Sequence, residues 1–144
     1  DKRPKNLKPL ADFRFKADAV KNVAPHLSGV NGCCPFVGKG SLSVRWDGEV
    51  SPCIPLMHSH RCFVLDRDKT IKRYSVGNVN QDAIDHIWKK DEYVKFRKRV
   101  IDFDFAPCNQ CDCELAESNE EDCFGTPFPA CGDCLWARRI VICP

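Results

Sequence analysis

The sequence predicts a small α+β module: an antiparallel sheet or hairpin, then two short helices, then a cysteine-rich C-terminal segment organised mainly by metal. Three observations carry that expectation. Short β-prone runs follow one another between residues 42 and 76, two amphipathic segments occupy 80–100, and 11 cysteines are spread through 144 residues.

Residues 1–32 open basic and carry three prolines, with one amphipathic stretch around Phe13, Phe15, Ala19 and Val20. They read as a lead-in or linker, and residues 33–144 as the domain proper. The runs 42–46 and 49–53 meet at Asp47-Gly48, a favoured hairpin dipeptide, so a β-hairpin ending in Cys53 is expected. Residues 61–65 and 70–76 are two further strands, separated by a charged turn over 66–69, and Gly77-Asn78 ends the sheet. Asn80 is placed to cap a helix with Ile84, Ile87 and Trp88 on one face, and Asp91 to cap another carrying Tyr93, Phe96 and Val100. Residues 106–134 then hold six cysteines and seven acidic side chains, with no Lys or Arg. Fixing the backbone costs about 1–2 kcal/mol per residue, so a segment this poor in aliphatic residues needs another source of order, and bound metal supplies one.

The bulk composition excludes several roles. A formal charge of +2 is too near balance to argue for nucleic acid. No apolar run approaches the roughly 20 residues of a membrane-spanning helix. The chain begins at Asp1 with neither an initiator Met nor an apolar secretory stretch, which reads as a cytoplasmic fragment of something longer.

So many cysteines leave disulfides or metal. Disulfides fit poorly with an odd count in a chain larger than the small secreted scaffolds that need them. Metal fits the spacing. Cys108-Asn-Gln-Cys111 and Cys131-Gly-Asp-Cys134 are two CxxC knuckles separated by 19 residues, and Cys143 stands just before the last residue. A CxxC turn aims two thiolates at one centre while backbone N–H groups can donate to the sulfurs. By spacing alone the knuckles also suit a structural zinc site with four thiolate ligands in an interaction module. Zinc leaves seven cysteines over, among them Cys34 and Cys53, which bracket the hairpin.

The order C-x13-G-x4-C at Cys34, Gly48 and Cys53, followed by CxxC, CxxC and a last Cys, resembles the SPASM motif, the auxiliary iron–sulfur domain of radical-SAM enzymes. The segments 44–53, 122–125, 131–137 and the Cys143-Pro144 ending are similar to the maturases of tungsten-dependent aldehyde ferredoxin oxidoreductases. The resemblance implies two auxiliary 4Fe–4S clusters. By order it gives Cys108, Cys111, Cys131 and Cys143 to one, and Cys34, Cys53 and Cys134 to the other. Because the family's closing C-x5-C-x3-C is replaced here by a longer insertion, Cys33, Cys62, Cys113 and Cys123 are further candidates, the first two above all for the missing fourth ligand. The family's catalytic triplet CxxxCxxC, which leaves one iron for S-adenosylmethionine, occurs nowhere in the chain. The resemblance therefore places catalysis in an upstream radical-SAM barrel. It gives this segment electron transfer, substrate positioning or support, with a protein or peptide substrate and a ferredoxin-type donor as partners.

The other chemistry-bearing residues read plainly. His58 and His60 form an HxH pair that ordinary surface roles explain, as they do His26 and His86. Trp46, Trp88 and Trp136 read as core or cluster-covering rings. Lys89, Lys90, Lys95, Arg97, Lys98 and Arg99 read as a solvated helix face.

Overall fold

The structure, a computed structural model, describes residues 32, 34–64, 67–108 and 113–141. Residues 1–31 of the lead-in and Cys33, Cys111 and Cys143 lie outside the described residues. In chain order the elements are helix α1 (Pro35–Gly38), strands β1 (Ser43–Val44) and β2 (Glu49–Ser51), the 3-10 turn η1 (Ile54–Leu56), strands β3 (His60–Val64), β4 (Arg67–Ile71) and β5 (Gly77–Asn78), helices α2 (Ile84–Lys89) and α3 (Asp91–Asp102), and the 3-10 turn η2 (Glu114–Glu117). This is the small α+β arrangement expected.

The hairpin forms where Asp47-Gly48 requires it. Ser43 pairs with Ser51 and Val44 with Val50. The Gly48 amide donates to the Arg45 carbonyl at 2.9 Å. Gly48 has φ +86, a left-handed backbone that glycine adopts without penalty. A side chain there would strike the amide groups of Asn78 and Asn80. Those two asparagines have a use: their Nδ2 groups donate to the Asp47 carbonyl at 3.2 and 3.1 Å, closing the hairpin tip from outside.

Several expected boundaries move, each for a local reason. Gly77-Asn78 does not end the sheet but forms its third strand, with Val50 opposite Gly77 and Glu49 opposite Asn78. Asn80, committed to Asp47, does not cap α2, which begins after Ala83 without a side-chain cap. Asp91 sits in the first turn of α3 with Glu92, where its charge favours the helix dipole, and Lys90 takes the capping position. Of the charged run read as a turn over 66–69, Asp66 lies outside the described residues and the rest is strand: Arg67, Asp68 and Lys69 pair with Val64, Phe63 and Cys62. Beyond Ile71 the chain leaves that pair, and Tyr74 and Val76 donate to the carbonyls of Leu56 and Val50 at 2.9 and 2.8 Å, stitching the two sheets together.

Helix α3 buries Tyr93, Phe96 and Val100, the stripe its spacing predicts. With Val37, Leu56, Phe103, Phe105 and Ala137 they form the core. In α2 the stripe narrows, because Ile87 is fully buried whereas Ile84 is half exposed. Trp88 meets Tyr93 edge-on at 5.5 Å, and the Arg97 guanidinium stacks on both rings. Trp46 departs from its expected covering role: it is 91% exposed at the hairpin tip. Among the described residues no helix is long and apolar enough to cross a membrane.

Candidate metal centre

Four thiols pack against the hydrophobic core and lie near enough to affect one another's charge. Cys34 immediately precedes α1, whose Pro35 fixes the turn, and Cys53 sits between β2 and η1. Cys131 and Cys134 belong to a tight knuckle in which the Cys134 amide donates to the Cys131 carbonyl at 3.1 Å. All four pack against the same apolar cluster. Cys53, Cys131 and Cys134 also line a cavity of about 130 Å³ with Cys62, Lys69, Asp133 and Trp136.

The electrostatics tie these thiols together. Burial pushes the Cys131 thiol well above its ordinary range, and Cys134, Cys53 and Cys34 add to the shift. Burial does the same to Cys53, with Cys134 and Cys34 again contributing. Cys134 is pushed up to about 11 by burial, although the amides of Ala137 and Trp136 donate to it and hold it lower than it would otherwise be. Such N–H groups are the donors that a thiolate ligand uses.

The knuckle's glycine has a steric reason. A Cβ at Gly132 would collide with the Ala106 carbonyl oxygen, so the backbone of the knuckle rests directly on residue 106. Arg138, buried at 2% exposure, holds the other side, its Nε donating to the Gly132 carbonyl at 2.7 Å.

A second group lies beyond Ala106. Cys108 is buried with Ala106 and Ala116 in a small cluster. Cys113 is exposed and immediately precedes the η2 turn, its carbonyl accepting from the Ala116 amide at 3.0 Å. Cys123, also exposed, follows Asp122, whose carboxylate accepts from the Ala106 amide at 3.0 Å. That carboxylate also accepts from the Phe124 amide at 3.0 Å, the Thr126 amide at 3.1 Å and the Thr126 hydroxyl. Burial raises its pKa, but these bonds outweigh burial and leave it below the usual carboxylate range. Cys108 is pushed up to about 11 by burial, then by Asp133 and by Cys123 and Cys113.

The grouping differs from the order-based one. Cys131, placed by order with Cys108, packs with Cys34, Cys53 and Cys134. Cys113 and Cys123, read as substitutes, are the described thiols that act on Cys108. Cys62 lies on β3 in the cavity wall, opposite Lys69. His58 and His60 are both exposed, and the His60 ring is held by the His58 carbonyl at 2.9 Å. Sequence reasoning missed Asp122, Lys69 and Asp133; the last lies inside a CxxC, which was the available signal.

The eight described cysteines form no disulfide. Among the described residues no three His, Cys, Asp or Glu side chains are close enough to share a single ion. A donor set made of partly buried thiols around a cavity fits an iron–sulfur group, whose ligands are Cys thiolates.

Comparison with known proteins agrees with that chemistry. The family model of SPASM, an iron–sulfur cluster-binding domain, matches residues 33–114. The match thus covers the hairpin, the helices and Cys108, and stops before Cys123, Cys131 and Cys134. The tungsten-containing aldehyde ferredoxin oxidoreductase cofactor-modifying protein of Pyrococcus furiosus is 36% identical over 115 residues, covering 77% of this chain. The chain spans about a third (32%) of that relative's length. No solved structure matches. With partly buried thiols packed on a hairpin-and-helix frame and a family match over more than half its length, the chain belongs to the SPASM family of iron–sulfur cluster-binding domains.

Proposed function

We propose that this chain is the auxiliary-cluster end of a cytoplasmic radical-SAM maturase acting for a tungsten oxidoreductase, and that it holds two 4Fe–4S clusters. The carrying observation is that Cys34, Cys53, Cys131 and Cys134 all pack against one core cluster, three of them around a shared cavity. These four hold the first cluster. Cys108, Cys113 and Cys123 hold the second, and Cys111, one knuckle away from Cys108, completes it.

When bound, a cluster supplies one-electron transfer at a potential set by its surroundings. The chain's own residues do the rest. Leu56, Ile71 and Trp136 line the first cavity and exclude water, and the amides of Ala137 and Trp136 donate to Cys134. Asp122 holds the backbone that carries Cys123 against the backbone that leads to Cys108. S-adenosylmethionine and the radical chemistry belong to a barrel elsewhere in the longer protein, with a protein or peptide substrate and a ferredoxin-type donor as partners. This assignment is supported by the relative's cofactor-modifying role.

The test is iron, acid-labile sulfide and zinc content after anaerobic reconstitution, in the wild-type chain and two variants. Two clusters correspond to about eight irons and eight sulfides per chain. Cys131→Ala is expected to lose about half of both, whereas Cys62→Ala, which removes a thiol from the same cavity wall, keeps them. Stoichiometric zinc without sulfide would replace this reading with a zinc-bound structural module. Full iron in Cys131→Ala would return that thiol to a packing role.

A further inference from the structure

Lys69 is a cation that the β3–β4 hairpin buries. It stands opposite Cys62 in the β3–β4 ladder and is 3% exposed. Its Nζ donates to Asp133 Oδ2 at 2.6 Å, and Asp133 is itself buried. Asp133 lies inside the Cys131–Cys134 knuckle, so the pair joins a strand to the ligand loop across 64 residues of sequence. Both side chains line the cavity shared by Cys53, Cys62, Cys131 and Cys134.

Stability alone does not account for such a pair. Desolvating two charges costs as much as their attraction returns, and a well-packed apolar pair of the same volume is commonly as stable. A cluster held by four thiolates changes that balance. Its net negative charge must be accommodated in a poorly solvated site, where a fixed cation has a large effect. The knuckle also rests on Ala106, next to the second thiol group, so a charge held here acts near both.

We infer that Lys69 is a positioning residue for the cluster site: anchored by Asp133, its ammonium holds the Cys131–Cys134 knuckle against β4 and sets the potential of the cluster bound there. This rests on the two-cluster reading above. Asp133 has the opposite sign and the opposite effect, so the pair works as a matched setting rather than as a single charge. Neutralising Lys69 leaves the Asp133 carboxylate facing the cluster and makes reduction harder. Neutralising Asp133 leaves the ammonium and makes reduction easier.

The experiment is an EPR-monitored redox titration of the anaerobically reconstituted chain, with Lys69→Met, Lys69→Arg and Asp133→Asn beside the wild type. Lys69→Met is expected to shift a midpoint potential negative, Asp133→Asn to shift it positive, and Lys69→Arg to leave it at the wild-type value. Shifts of the same sign in Lys69→Met and Asp133→Asn, or none in either, would overturn the inference. If Lys69→Met takes up no cluster, the other two decide: a positive shift in Asp133→Asn with an unchanged Lys69→Arg supports it, and any other result overturns it. A wild-type chain that assembles no cluster removes the two-cluster reading itself, an outcome separate from unmoved potentials in loaded variants.

Discussion

Replacing Asp122 by Ala should cost about 3–5 kcal/mol of folding free energy, a large share of the roughly 5–15 kcal/mol that holds a typical domain together. The figure follows from what the carboxylate does. It is 2% exposed and accepts from the amides of Ala106, Phe124 and Thr126 and from the Thr126 hydroxyl. Hydrogen bonds to a charged group contribute about 1.5–3 kcal/mol each, but they are not additive, and water can reach an amide near the surface. Ala106 is fully buried and Thr126 nearly so, whereas Phe124 is 66% exposed. Two amides therefore stay unsatisfied in Asp122→Ala and the third is rescued by solvent, which gives the range stated. Thr126→Val removes one donor while keeping shape and should cost about 1–2 kcal/mol. Urea denaturation of the anaerobically reconstituted chain, followed by tryptophan fluorescence, reads both, and hydrogen exchange should quicken at Ala106 and Thr126. A loss below about 1 kcal/mol in Asp122→Ala, the usual scale for a surface substitution, would refute the assignment of Asp122 as the anchor of residues 106–126.

Three further outcomes follow from the same geometry. Gly48→Ala forces a side chain onto a left-handed backbone and into Asn78 and Asn80, and should cost about 2 kcal/mol or more, read as a lowered Tm. Gly38→Ala is its control, since an added methyl there meets nothing within 4 Å and should leave Tm unchanged or slightly raised. Gly132→Ala should reduce iron uptake on reconstitution, because the Ala106 carbonyl has no room to yield without moving Cys108; wild-type iron content in that variant would contradict the contact. Asp47, bonded by the Arg45 side chain, is held down to about 2, so its contribution to stability is fully present above pH 4 or so and is lost as pH falls through about 2, which an NMR titration of its carboxyl would show.

The parts of the fold that were legible in the sequence are those fixed by local chemistry. Asp47-Gly48 specified the hairpin because only glycine suits its backbone, and Tyr93, Phe96 and Val100 specified α3 because their spacing matches one helical face. What was not legible depended on partners distant in the chain. Asn80 looks like a cap until Asp47 claims it, and Lys69 looks like a turn residue until Asp133, in the closing loop, draws it inside. The candidate site divides in the same way. The cysteines announced a metal centre by number and spacing, but their grouping depends on which segments pack together. Chain order put Cys131 beside Cys108; the contact of Gly132 with Ala106 sets the knuckle between the two groups, and the core takes Cys131 to the side of Cys34 and Cys53.

That placement bears on how a chain with so thin a core is organised. The thiols of the first group are packed against the apolar core cluster, so each serves as core surface in its own right. A neutral thiol packs like a small apolar side chain, and the frame of β2, α1 and α3 can close around it before any metal arrives. The closing segment adds Ala137, Cys131 and Cys134 to that core, and is held further by Asp122, by the Asn119 side chain bonded to the backbone of Lys72 at 2.8 and 3.0 Å, and by the Lys69–Asp133 pair. Each of these bonds reaches back from the cysteine-rich loop to the sheet or to Ala106. Metal binding in this segment would therefore act on a loop already tethered to the sheet and to Ala106. The closing segment is thus joined to the frame in two ways, by apolar packing through Cys131, Cys134 and Ala137 and by polar bonds through Asn119, Asp122 and Asp133.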